Sequence, residues 1–159
     1  MNNATSWRFW VLIVFLVVAY FFLHLALGLG LVIPDLLTVA LLLSARRLSA
    51  PVAAGLGFVL GLLRDSLSLV AFGADAIVLT VLGYLGSRSK DYFIGDSLLF
   101  VGIYLLIGTL IHDLVYHLIL GSSMGWRAAD FVSQLPFVFY TAVAGLGLLL
   151  IYRLMARER

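Results

Sequence analysis

The stretch Gly57-Phe-Val-Leu-Gly61-Leu-Leu-Arg64-Asp65-Ser-Leu-Ser68-Leu69 decides how the rest of the chain is read. Most of it suits a helix bathed in lipid, yet an arginine and an aspartate stand side by side near its centre. Steps of three and four residues put Ala54, Gly57, Gly61, Asp65 and Ser68 on one helical face. Gly57 and Gly61 form a G-x-x-x-G pair, the pattern that lets two helix backbones approach closely in a membrane. Asp65 therefore projects from a face made for another helix. Arg64 lies about 100° away around the axis and does not share that face. A charged side chain at mid-membrane costs about 2.5–3.5 kcal/mol on insertion scales. The pair is expected to act as a fastening between helices, with a proton or substrate relay as the alternative. Arg64 either meets a partner or snorkels outward.

The surrounding composition supports a membrane setting. The chain has 159 residues, of which 64% are hydrophobic and only 11% charged, and its mean hydropathy is +1.15. A soluble domain of that size needs more polar surface. It has no cysteine, so neither a disulfide framework nor a thiolate metal site can form. The sequence predicts an all-α integral membrane protein, one domain over residues 1–159.

A membrane-crossing helix takes about 20 apolar residues. Six spans are expected, at about 9–30, 34–45, 51–70, 75–87, 96–120 and 128–155. Gly28-Leu-Gly30 ends the first, Pro34 suits the first turn of the second, and Arg46-Arg47 stops it. Pro51 opens the third, and Phe72-Gly73-Ala74 breaks the chain before the fourth. Spans two and four look short for a ~30 Å core. They reach into their flanking loops or are shielded by neighbours. Charge placement agrees with the count. With the N-terminus in the cytoplasm, Arg8, Arg46, Arg47, Arg88, Lys90, Arg153, Arg157 and Arg159 all lie inside, and only Arg127 lies outside. Both termini are thus expected in the cytoplasm. Asp35, Asp75 and Asp96 each stand where a helix-capping aspartate belongs, and Trp126 and Arg127 belong to an interfacial lead-in to the last span.

A second polar group occupies the fifth span. Thr109, His112, Asp113, Tyr116 and His117 recur at helical period and draw a stripe expected to face Asp65 or Arg64. Histidine with aspartate could also hold a metal or relay a proton, but His112 and His117 sit five residues apart on poorly matched faces, and no third ligand completes a site. His24 in the first span reads as a satisfied interior side chain. No H-E-x-x-H pair or phosphate loop is present. No enzyme is expected, and no metal or other cofactor.

Val32-Ile-Pro34-Asp35-Leu-Leu follows the first apolar span. After it come the G-F-x-x-G-x-x-x-D core at residues 57–65 with Ser66 and Ser68, then Gly73, then the run to Gly83-Tyr-Leu85. This order resembles the bacterial rod shape-determining protein MreD family, with Pro34, Asp35 and Gly73 as its motif and turn positions. Leu69 departs from the pattern, because many members carry glycine directly after the serine. The resemblance implies a non-catalytic scaffold in the bacterial inner (cytoplasmic) membrane, part of the cell-elongation complex. It implies a direct partner, MreC, and through the complex MreB, RodA and a penicillin-binding transpeptidase, with no nucleic acid. A homodimer stays open. The implied fold is similar to the substrate-binding (S) subunits of energy-coupling-factor transporters. In the scaffold reading, Gly57, Gly61, Arg64, Asp65 and Ser68 form the helix-packing or partner interface. The alternative is a subunit that binds or transports a small, vitamin-like molecule.

Overall fold

A computed structural model describes residues 3–27, 34–67, 72–89, 97–124 and 128–157. Those residues form six α-helices: α1 (Asn3–Leu27), α2 (Leu36–Ala45), α3 (Ala50–Asp65), α4 (Ala74–Ser89), α5 (Leu98–Met124) and α6 (Ala128–Arg157). Stretches within three of them are long and apolar enough to cross a membrane: Trp7–Ala26, Leu98–Ile119 and Val132–Ile151. The expected turn at Gly28–Gly30, Ser68, Lys90, the Asp96 cap, Trp126, Arg127 and Arg159 lie outside the described residues.

The short α2 is the axis of the bundle. Its sequence, LLTVALLLSA, has no polar face, and a helix apolar all round must be buried all round. Every one of its 10 residues is buried. At 1.5 Å per residue it rises only about 15 Å. Neighbours shield it on every side, so its shortness exposes no backbone end to lipid. Pro34 falls just before the helix and Asp35 is its N-cap, so the proline precedes the first turn instead of occupying it.

The other helices pack around α2 according to their apolar faces. Phe9, Ile13, Leu16 and Tyr20 of α1, spaced by four, three and four, are buried in the core that includes α2. Trp7, Val14, Val18, Phe22 and Leu25 look outward. In a bilayer that apolar exterior costs nothing, because lipid tails are as apolar as leucine.

α3 and α4 run antiparallel in the closest packing of the bundle. A Cβ built on Gly57 would lie 2.1 Å from the Leu79 carbonyl oxygen, and one on Gly61 would lie 2.3 Å from the Ala76 Cα. Gly83 returns the contact, 2.3 Å from the Ala53 carbonyl oxygen. The G-x-x-x-G face is therefore closed within the chain by α4. Helix α3 stops at Asp65, about one turn before the expected limit at residue 70, because Asp65 turns to serve the start of α4. Gly73, with φ +95°, makes the bend before α4 in a conformation that side-chain-bearing residues rarely adopt.

At one end of the bundle lie Arg46, Arg47, Arg88 and Arg153. The Arg47 guanidinium sits 3.6 Å from the Phe9 ring centroid. The Tyr104 hydroxyl lies within reach of the Leu42 and Gly86 carbonyls, at 3.1 and 3.3 Å, and ties α5 to the ends of α2 and α4. Among the described residues, Asp35, Asp65 and Asp75 lie away from that end, at the N-terminal ends of α2 and α4 and the C-terminal end of α3.

Candidate functional site

The N-terminal end of α2 meets the C-terminal end of α3, the N-terminal end of α4 and the middle of α5 at one level. Each brings charge there for a local reason. Asp35 caps α2: its Oδ1 accepts from the Thr38 N–H at 3.1 Å and its Oδ2 from the Thr38 hydroxyl at 2.6 Å. Its own N–H donates to the Thr141 hydroxyl of α6 at 3.2 Å. Asp75 lies in the first turn of α4, where the helix dipole favours a carboxylate.

Arg64 joins the two carboxylates. Its Nη1 donates to Asp35 Oδ2 at 2.6 Å, and its Nε lies 3.2 Å from Asp75 Oδ2 as an ion pair. His112 of α5 completes the cluster. Its Nε2 lies 3.2 Å from Asp75 Oδ1 and its Nδ1 3.2 Å from Asp113 Oδ1, with Asp35 Oδ2 at 3.9 Å. Asp35, Asp75 and His112 are at most 5% exposed. The carboxyl groups of Asp35, Asp75 and Asp113 thus gather around one guanidinium and one imidazole. Apart from the His112–Asp113 contact within α5, these interactions connect two helices or cap one.

Asp65 is fully buried but stands apart from these charges. Its Oδ1 accepts from the Asp75 N–H at 3.2 Å and its Oδ2 from the Ala76 N–H at 3.0 Å. Those are N–H groups that the first turn of α4 would otherwise leave without partners. Gly61 makes this possible by letting α3 lie directly on the Asp75–Ala76 backbone. Asp65→Ala should strip the cap from α4 and destabilise the protein by about 1–2 kcal/mol. The check is thermal unfolding in detergent micelles. An unchanged midpoint would show that the cap contributes nothing.

The polar stripe on α5 divides. His112 and Asp113 enter the cluster, and Tyr116 stacks on His112 with ring centroids 6.1 Å apart. Thr109 turns back on its own helix, donating to the Leu105 or Leu106 carbonyl at 2.9 and 3.0 Å. His117 does likewise, its Nδ1–H donating to the Asp113 carbonyl at 2.7 Å. The stripe faces Arg64, while Asp65 faces α4. Arg64 pairs inward and does not snorkel. His24 is not satisfied, since its Nδ1 is buried with no hydrogen-bond partner among the described residues. Sequence reasoning passed over Thr38, Thr141 and Tyr20. Thr38 carried a signal, three residues after an N-cap aspartate; the other two carried none. Among the described residues no set of three His, Cys, Asp or Glu is arranged to hold a metal ion.

The arrangement is made of caps and ion pairs. A sequence model of the rod shape-determining protein MreD family matches residues 1–158, essentially the whole chain. The chain belongs to the MreD family. It is thus a rod shape-determining membrane protein, and its three long apolar helices suit that setting. Of the residues that carry the resemblance, Pro34, Asp35, Gly57, Gly61, Asp65 and Gly73 lie on or beside α2, α3 and α4 of this MreD-family chain, while Val32, Ile33 and Ser68 lie outside the described residues. No match is found among curated proteins or solved structures.

Proposed function

We propose that the chain is a non-catalytic scaffold of the cell-elongation complex, that it binds MreC in the bacterial inner membrane, and that it helps control peripheral peptidoglycan synthesis. Further contacts to MreB, RodA and a penicillin-binding transpeptidase would run through that complex. The family match across the whole chain carries the reading. The buried cluster supports it, because its groups hold helices together.

In this reading all six helices cross or enter the membrane, with Arg8, Arg46, Arg47, Arg88 and Arg153 and both termini on the cytoplasmic side, as the positive-inside rule favours. The six-helix bundle also agrees with a fold similar to energy-coupling-factor S subunits. The glycine face of α3 is taken up by α4, so a partner helix docks on outward surfaces. One such surface holds Val52, Gly55 and Val59 of α3, where a Cβ on Gly55 would meet nothing within 4 Å.

The test is co-purification. Tagged chain extracted from membranes with MreC should retain it through affinity and size-exclusion steps, and cells lacking the chain should round up. Recovery of folded chain free of MreC, from cells that keep their rod shape without it, would overturn the scaffold reading.

A further inference from the structure

His112 stands in the middle of α5 and is only 1% exposed, yet both of its ring nitrogens face carboxyl oxygens. Nε2 lies 3.2 Å from Asp75 Oδ1 on α4, and Nδ1 lies 3.2 Å from Asp113 Oδ1 on α5 itself. Asp35 Oδ2 of α2 stands beyond Nδ1 at 3.9 Å. The two shorter separations are hydrogen-bond distances, at the long end of the usual N–H···O range.

That geometry fixes a count of protons. Each of the two contacts needs one hydrogen between nitrogen and oxygen. A neutral imidazole carries a single N–H and leaves its other nitrogen bare, while an ionised carboxylate offers lone pairs alone. A neutral ring between two carboxylates would therefore set lone pair against lone pair at one contact, whichever tautomer it adopts. Inside a buried site such a mismatch is costly. The surrounding groups do not change the count. Arg64 of α3 is a donor without an acceptor, and its Nε lies 3.2 Å from Asp75 Oδ2, the other oxygen of that carboxyl. Asp65 of α3 is turned to the Asp75 and Ala76 N–H groups. Tyr116 of α5 lies nearly parallel to the imidazole, with 6.1 Å between ring centroids. Tyr20 of α1 is within electrostatic reach of Asp35 and Asp75, and α6 brings the Thr141 hydroxyl, which accepts from the Asp35 N–H.

We propose that His112, Asp75 and Asp113 form a proton-binding site that holds one proton more than a neutral ring and two carboxylates, and that this proton fastens α5 to α4. The proton is taken from the medium and belongs to the three groups jointly, because sites this close titrate as one. With it in place both contacts are made, and α5 is tied through Asp75 and Arg64 to α3 and to the Asp35 cap of α2. Its loss leaves one ring nitrogen bare against an oxygen and loosens the helix pair. The inference rests on the packing of α4 against α5 and does not need the scaffold reading.

The proton can be counted, because stability falls with rising pH wherever the folded chain binds more protons than the unfolded one. The chain has no cysteine and 3 histidines, His24, His112 and His117. With His24→Gln and His117→Gln in place, His112 is the one side chain that titrates between about pH 5 and 8 once the chain is unfolded. In that background, reversible unfolding in mixed micelles should show full stability below about pH 6.5, where the unfolded histidine is protonated as well. Above it the folding equilibrium constant should fall about tenfold per pH unit, until the folded site releases its proton. Adding His112→Gln should abolish the fall, since glutamine takes up no proton. Asp113→Asn should abolish it too, because the asparagine amide can donate to a bare Nδ1 and the ring then needs no second proton. Either variant decides if the other does not fold. A folding constant in the background chain that is independent of pH, or rises with it, would overturn the site. So would a fall that survives either substitution. These readings leave MreC binding to the co-purification experiment, so the two proposals fail separately.

Discussion

Gly61→Leu is expected to yield no folded, monodisperse protein, while Gly55→Leu on the same helix behaves like the parent. The contrast follows from what each missing side chain would touch. At Gly61 even a Cβ would lie 2.3 Å from the Ala76 Cα, 2.6 Å from the Ala76 nitrogen and 2.6 Å from the Asp75 carbonyl oxygen. All three are backbone atoms of α4, which cannot rotate away as a side-chain tip can. The helices must separate, and separation also pulls Asp65 off the two N–H groups it caps. Overpacking alone costs about 1–3 kcal/mol, and loss of the cap adds about 1–2 kcal/mol. At Gly55 nothing lies within 4 Å, and the added side chain points outward toward lipid. Size-exclusion chromatography of fluorescent fusions separates the outcomes. A monodisperse Gly61→Leu peak at the parent position would show that α3 and α4 are not packed backbone to backbone.

Arg64→Met should be nearly as damaging for a different reason. The arginine is the cation shared by Asp35 and Asp75, at 2.6 and 3.2 Å. Methionine fills similar volume but leaves two buried carboxylates facing each other and His112. Removing one partner of a buried ion pair costs about 3–5 kcal/mol, chiefly because the remaining charge is stranded. Adding Asp35→Asn and Asp75→Asn removes that stranded charge and should recover most of the lost stability. The asparagine at position 35 can still accept from the Thr38 N–H as a helix cap. Thermal unfolding of the single and triple variants in the same detergent is the check. A triple variant no more stable than Arg64→Met would show that the charges are not what the substitution strands.

The spacing of the sequence carried a good deal of this. Gly57, Gly61 and Asp65 fall on one face by their three- and four-residue steps, and that face is the one against α4. Proline, glycine and arginine punctuation placed the six helices to within a few residues at most ends. The missed end is instructive: α3 stops at Asp65, not near residue 70, because the aspartate is drawn to the exposed N–H groups of α4. Helical period says which residues share a face, but not which helix that face meets. Hence Asp65 was expected opposite α5 and instead caps α4, while Arg64 was left between two readings. What settles Arg64 is depth. The shortness of α2 brings the Asp35 cap to the level of residue 64, a coincidence between distant segments that no local window contains. Thr109 failed as a stripe member because a hydroxyl in a helix can satisfy itself on its own carbonyls.

The central claim is that the charges buried in this apolar bundle are fastened to one another within the chain. A double-mutant cycle between Arg64→Met and Asp35→Asn, read from unfolding free energies in one detergent, tests it most directly. The fastening predicts that the two losses do not add, with a coupling of about 1 kcal/mol or more, since either substitution alone breaks the same contact. Strict additivity would contradict it, placing Arg64 and Asp35 in separate environments and dissolving the cluster.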